Sequence, residues 1–198
     1  MSTVRNPAPI SVEEYLAGEL LTPIKHEYVA GRVYALAGAR NVHAKLVYAW
    51  MLALGKRLEG KPCQPYPSDT KVRIREGSHT SFYYPDGMVV CEPNAQEETF
   101  QDRPVILAEV LSKSTRRVDE LEKRDAYLTI PTLAVYMLIE TDRPEVTLYR
   151  RSSQGFIVET HTGPAATISL PEIKAELPLA ELYARVEFQP ELDVEEEA

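Results

Sequence analysis

Two carboxylates stand where a carboxylate is costly. Residues 105–111 (VILAEVL) are apolar except for Glu109, and a charged group in such a run needs an ion pair, hydrogen bonds or a metal to offset its lost hydration. Asp86 sits in YYPDGMVV, directly before another apolar segment. Two such carboxylates on neighbouring strands make a hard, oxygen-rich site of the kind that takes Mg²⁺ or Mn²⁺. The plainer reading of each is a turn-capping aspartate or a buried ion pair. A cation is available nearby: in RVDELEKRDAYL, Asp119, Lys123 and Tyr127 are spaced i, i+4 and i+8 and share one helical face. A helix that follows the Glu109 strand packs back on that sheet, so Lys123 on its inward edge reaches the carboxylates. Left on the surface, it is an ordinary Asp–Lys pair.

The elements that hold these residues follow from periodicity. Ser11 and Glu14 fit a capping box opening a short helix that ends near Gly18. HEYVAGRVYALAGA reads as a hairpin turning at Ala30-Gly31. Asn41 is expected to cap a helix with Leu46, Ala49, Trp50, Ala53 and Leu54 on its apolar face, ending around Glu59-Gly60. Residues 70–75 alternate strictly, placing Val72 and Ile74 on one face and Lys71, Arg73 and Arg75 on the other. Residues 83–91 read as a second strand containing Pro85-Asp86, and residues 105–111 as a strand buried on both faces. A helix over 117–128, a buried strand over 134–140, a hairpin over 144–168 and a short helix near 179–183 complete the pattern. The order predicts an α/β fold, a mixed sheet flanked by helices.

Composition sets the outer limits. The 198 residues suit one domain, expected over 1–186, and carry 22 basic and 30 acidic side chains, a net charge of -8. Six of the acidic groups lie in residues 187–198, a segment expected to be a disordered tail, which leaves 22 basic against 24 acidic in the body. Net charge alone therefore does not exclude a nucleic-acid partner. No apolar run approaches the ~20 residues needed to span a bilayer. The start of the chain shows no secretory signal, and Cys63 and Cys91 have neither zinc nor CxxC spacing, so two reduced thiols in a cytoplasmic protein are expected.

Taken in order, these residues resemble a known family. Tyr84-Pro85-Asp86 and Glu109-Val110-Leu111 look like the divided Pro-Asp … Glu-x-Lys signature of restriction-endonuclease-like nucleases. With Glu27-Tyr28-Val29-Ala30-Gly31-Arg32-Val33-Tyr34, His43, residues 104–115, Asp119, Lys123 and Tyr127, the chain is similar to the Uma-type restriction endonucleases, a bacterial family, over roughly residues 10–185. The resemblance implies a restriction-endonuclease-like core with an extra N-terminal and a C-terminal hairpin. It also implies metal-dependent phosphodiester hydrolysis, with Asp86, Glu109 and the Val110 carbonyl holding Mg²⁺ or Mn²⁺. Leu111 stands where the superfamily has Lys, so Lys123 takes that role from the following helix. Glu27 is an additional metal or water contact on this reading, or else a cross-strand partner of Arg32 or Lys25. His43 contacts metal or phosphate, or is simply a helix-start hydrogen-bonding residue. Lys113 in place of the usual Pro, and Ile130–Tyr136 in place of Gly-Val-x-Glu-Tyr-Trp, depart from the family pattern and bear on specificity.

The expected partner is DNA, double-stranded, cut by a homodimer with one copy for each strand. Phosphate contacts are expected from the face of Lys71, Arg73 and Arg75 and from Lys113, Arg116 and Arg117. A solvated strand face is the alternative for the first group. Two rival functions stay open: a catalytically silent nuclease-fold protein that binds nucleic acid or assembles, and a glycoside hydrolase with paired carboxylates. The single Trp and the nearby Lys123 argue against the second rival.

Overall fold

The computed structural model describes residues 8–112 and 116–188. In chain order the first elements are α1 (Val12–Glu19), β1 (His26–Val29), β2 (Arg32–Ala35), α2 (Asn41–Leu58) and β3 (Gln64–Pro67). Strands β4 (Lys71–Glu76), β5 (His79–Tyr83), β6 (Gly87–Val90), β7 (Phe100–Gln101) and β8 (Pro104–Val110) follow. A π-helical turn (Val118–Lys123) runs into α3 (Arg124–Leu128), then come β9 (Val135–Ile139), β10 (Glu145–Ser152) and β11 (Gly155–Thr162). The chain continues with β12 (Thr167–Leu170), a 3₁₀ turn (Pro171–Ile173), β13 (Ala175–Pro178) and α4 (Leu179–Leu182).

These strands form two mixed sheets and a ribbon. One sheet has the order β2-β1-β5-β4-β7, the other β11-β10-β9-β8-β6-β3, and β12-β13 pair separately. Within the larger sheet β8 and β9 are parallel, and the π turn and α3 make the crossover between them. That sheet is covered on both faces, which is why its central strand reads as an apolar run. Ile106, Ala108 and Val110 face α2, whose Leu46, Trp50 and Leu54 belong to the same core. Leu107 and Leu111 face the other way, into a second core with Val72, Ile74 and Tyr83 of the smaller sheet and Tyr127 of α3. Glu109 shares the parity of Leu107 and Leu111, so it points between the two sheets.

The outer face of the smaller sheet carries a third, aromatic cluster of Tyr15, Tyr28, Phe82 and Phe100. Here α1 docks, opened by the expected capping box: Glu14 N–H donates to Ser11 Oγ (3.1 Å) and Ser11 N–H to Glu14 Oε2 (2.8 Å). The β1–β2 hairpin turns through Ala30 (φ 46°) and Gly31 (φ 91°), both in the left-handed region that tight hairpin turns require. Gly31 also lies under Pro9, where an added Cβ would come within 2.7 Å.

Several sequence expectations are corrected. Arg40, not Asn41, occupies the cap of α2, and no side chain caps that end. Residues 83–91 are not one strand: the chain leaves the smaller sheet after Tyr83 and enters the larger one at Gly87. Pro85, which has no N–H to give to a ladder, falls in the crossing between them. The helix over 117–128 contains a π turn, on which Leu121 is exposed. Cys63 and Cys91 are joined by a disulfide, not reduced. They flank the β3–β6 ladder, one step beyond the Gln64–Val90 pair, a register invisible in the sequence spacing. Most of the acidic tail (residues 189–198) lies outside the described residues. Among the described residues no helix is long and apolar enough to cross a membrane.

Candidate active site

The crossing between the sheets is where the carboxylates meet. In the β6–β8 ladder Gly87 lies opposite Ala108, and one further step places Asp86 opposite Glu109. Asp86 is fixed through one oxygen: its Oδ2 accepts the Val110 N–H (2.8 Å) and contacts His43 Nε2 (2.9 Å). His43 arrives there because α2 is locked over the strand. His43, Leu46 and Trp50 recur at i, i+3 and i+7, and the Trp50 ring packs against Gly87. A Cβ on Gly87 would meet that ring at 2.5 Å, so glycine beside Asp86 is a packing requirement.

Glu109 is 2% exposed. Its Oε1 accepts the Tyr127 hydroxyl (2.8 Å) and the Lys123 ammonium (3.1 Å). The same ammonium lies 3.0 Å from Glu27 and 3.6 Å from Asp119. Among the described residues, then, one buried ammonium serves three carboxylates, with Asp86 beside them. Burial raises the Glu109 carboxyl well above its ordinary value; Lys123 opposes this, while Asp86, Asp119 and Glu27 add to it. Burial alone would favour neutral Lys123, but the surrounding Glu109, Glu27 and Asp119 outweigh it and hold the ammonium above the usual lysine value. The lysine therefore stays charged.

The supporting frame is aromatic. Tyr127 packs edge-on against Tyr83 and Tyr136, with ring centroids 5.6 and 5.3 Å away. Tyr136 donates to the Asp119 carbonyl (2.9 Å), tying the π turn to β9. A π turn adds one residue per turn and is frequent at functional sites. Here it shapes the segment that presents Asp119 and Lys123 inward. Burial raises the Tyr127 and Tyr136 phenols well above their normal range and lifts Tyr83 to about 12, so all three donate as neutral hydroxyls or serve as packing.

The structure thus brings Glu27, His43, Asp86, Glu109, Val110, Asp119, Lys123 and Tyr127 into one place. Glu27 is not paired with Arg32 or Lys25; its cross-strand neighbour is Tyr34 and its ionic partner is Lys123. Tyr84 was missed by sequence reasoning. Its N–H donates to Glu27 (3.2 Å) and its hydroxyl to Glu19 (2.9 Å), so it anchors the segment that carries Asp86. The YY pair directly before Pro-Asp was the available signal.

The expected phosphate contacts are placed elsewhere. Lys71 is 4% exposed and donates to the Tyr84 hydroxyl (3.2 Å), so the solvated face expected for it is corrected: the aromatic crossing covers it. Arg73 is bidentate with Asp102 (2.6 Å to each oxygen) and stacks on Phe100. With Arg75 these two lie on the face of β4 opposite to Val72 and Ile74, away from Glu109. Arg116 is held by Glu120 and the buried Glu140, and Arg117 is exposed. Lys113 lies outside the described residues.

Among the described residues no group of three or more His, Cys, Asp or Glu side chains forms a ready-made metal cage. Mg²⁺ does not need one. It keeps most of its waters and takes one or two carboxylates, completing its shell with substrate phosphate. Asp86 and Glu109 are a donor set of that size and hardness, and each spends one named oxygen, Oδ2 and Oε1, on the protein contacts above.

Comparison with known proteins agrees with this architecture. A family model described as "putative restriction endonuclease", Uma2, matches residues 12–180. Two proteins of Synechocystis sp. are similar over 147 residues each. The uncharacterized protein slr1290 is 32% identical, covering 74% of this chain and 76% of its own. The uncharacterized protein sll1609 is 31% identical, covering 71% and 80%. The crystal structure of a "putative nuclease belonging to DUF820" from Anabaena variabilis superposes with a TM-score of 0.69 over 89% of this chain and 98% of that one. At 17% identity it shows the shared fold. The chain shares its fold with the Anabaena variabilis protein and belongs to the Uma2 family, described as "putative restriction endonuclease".

Proposed function

We propose that this protein is a Mg²⁺- or Mn²⁺-dependent endonuclease that hydrolyses phosphodiester bonds in DNA, acting as a homodimer with one copy for each strand of a duplex. Asp86, Glu109 and the Val110 carbonyl would hold the cation. When bound, the cation polarises the scissile phosphate and offsets charge on the leaving oxygen. The protein's own groups do the rest. Lys123, kept charged, orients the attacking water and faces the negative charge that develops on phosphorus-bound oxygen. Glu27 and Asp119 fix the ammonium in place. Tyr127 holds one oxygen of Glu109, and His43 with the Val110 N–H holds one oxygen of Asp86.

One observation carries this reading: among the described residues, Glu27 and Glu109 share one buried ammonium, with Asp86 beside them. Such an excess is costly unless a proton or a cation offsets it. The test is cleavage of plasmid and labelled duplex in Mg²⁺ or Mn²⁺ by the parent, Asp86→Ala and Glu109→Ala. Cleavage by the parent alone is expected. Equal behaviour of all three proteins in every nuclease assay would overturn the proposal. The silent nuclease-fold alternative draws on the engagement of Lys123 by three carboxylates, and salt-dependent DNA binding without cleavage would favour it.

A further inference from the structure

Of the residues expected to hold nucleic acid, Lys71, Arg73 and Arg75 are turned away from the site and Arg116 is matched to carboxylates, so other groups must contribute to holding the substrate. The inner face of the smaller sheet supplies it. Glu27 and Val29 point inward, Glu27 to Lys123 and Val29 into the core shared with Tyr127. Their partners on the outermost strand are Tyr34, opposite Glu27, and Arg32, opposite Val29. Side chains of directly opposed residues share a face with Cβ atoms about 5 Å apart. Tyr34 and Arg32 therefore stand on the site face, one strand outward from Glu27. The Tyr34 phenol is near enough to Tyr83 to act on its ionisation.

Both residues are open to solvent, with Tyr34 50% exposed. Six residues after Tyr34, exposed Arg40 opens the helix that delivers His43 to Asp86. No ion pair involving Arg32 or Arg40 occurs among the described residues, whereas Arg73 and Arg116 are each matched to carboxylates. An exposed aromatic ring on the strand that carries Arg32, beside the cluster proposed for catalysis and with Arg40 at the head of α2, has the chemistry of a platform for an unpaired base with flanking phosphates. Base–aromatic stacking is tolerant of sequence, and arginines hold the backbone.

We propose that β2 is the substrate wall of the site: Tyr34 stacks on an unpaired nucleotide next to the scissile phosphate, and Arg32 and Arg40 hold phosphates on either side. The inference rests on the nuclease reading and narrows it to nucleic acid with at least one unstacked base, either a single strand or a base displaced from a duplex. A fully paired duplex keeps its bases stacked on each other and offers none to Tyr34.

The test is equilibrium binding of three fluorescent DNAs in EDTA, so that cleavage plays no part. The probes are a single-stranded oligonucleotide, a fully paired hairpin, and the same hairpin with one bulged base. The parent is expected to prefer an unpaired probe. Preference for the single strand alone, or for the bulged hairpin as well, distinguishes the two sources of the unpaired base. Tyr34→Ala should weaken binding of the preferred probe by about tenfold, with Tyr34→Trp restoring it. Arg32→Ala and Arg40→Ala should each lower the salt slope for the single strand by about 0.7. Undiminished binding by Tyr34→Ala, or equal losses on all three probes, would overturn the proposal. If the parent cleaves DNA in Mn²⁺ while Tyr34→Ala binds normally, the wall is wrong and the nuclease reading stands. If the parent neither binds nor cleaves any of the probes, both fail.

Discussion

The Lys123 cluster and the outer face of β4 are both rich in charge, and both looked functional in the sequence. They are built on opposite rules. On β4 the central charge is matched: Arg73 meets Asp102 through two hydrogen bonds, Asn94 Nδ2 donates to the same carboxylate at 2.9 Å, and Phe100 covers the guanidinium. Between the sheets, among the described residues, Glu27 and Glu109 are under-matched: they share one ammonium, which also faces Asp119, and Asp86 lies nearby. A matched pair needs nothing further. An unmatched buried cluster needs a proton or a cation from outside, and that difference separates a structural ion pair from a site.

The contrast can be broken most directly through catalysis. Glu109→Gln keeps size and shape but removes the charge, and should lower Mn²⁺-dependent DNA cleavage by about a thousandfold, read from initial rates on a labelled substrate. Wild-type cleavage by this variant would remove Glu109 from the mechanism.

Stability should separate the two regions next. Lys123→Met leaves Glu27 and Glu109 buried without their ammonium and should cost about 3–5 kcal/mol in urea unfolding. Arg73→Ala, at a pair still partly open to solvent, should cost less, about 1 kcal/mol. Equal losses would erase the distinction between them.

Packing supports the site from behind, and Gly87→Ala tests how firmly. The added Cβ meets the Trp50 ring at 2.5 Å, so overpacking should cost about 1–3 kcal/mol. It should also push α2 and His43 off Asp86, seen as a shifted His43 resonance. An unchanged melting temperature and an unmoved His43 would show that α2 is free to adjust.

The smallest expected effect is on pH dependence. With its carboxyl raised by burial, Glu109 keeps a proton in the folded, metal-free protein that the unfolded chain releases near pH ~4.3. Above that value the folded state binds more protons than the unfolded one. The stability contributed by this group is therefore full below pH ~4.3 and is lost as pH rises through the raised folded value. Thermal melts in EDTA should show that decline, and Glu109→Gln should flatten it. A slope shared by parent and variant would assign it to other groups.

Much of this arrangement was legible in the sequence, for identifiable reasons. Glu109 stood out because one carboxylate interrupted an apolar run, and Asp119, Lys123 and Tyr127 because helical spacing aligned them. Asp86 was visible, but its place opposite Glu109 depends on the β6–β8 register. What was hidden lay between segments distant in sequence. Alternation assigned Lys71 to an outer face correctly, yet could not show that Tyr84 and Glu19 close over it. Nothing in the spacing of Cys63 and Cys91 revealed that β3 and β6 are paired. The π turn was read as plain helix because its inward residues, Asp119 and Lys123, keep an i, i+4 relation. Tyr34 was quoted only as part of a motif, since its position beside Glu27 follows from the hairpin register.

The central claim is that Asp86 and Glu109 take a divalent cation. Calorimetric titration of Mn²⁺ into the parent and into Glu109→Gln tests it most directly. The account predicts saturable binding by the parent, tighter at higher pH because the ion displaces the Glu109 proton, and little or no binding by the variant. Absence of heat with the parent, or equal binding by both proteins, would contradict it.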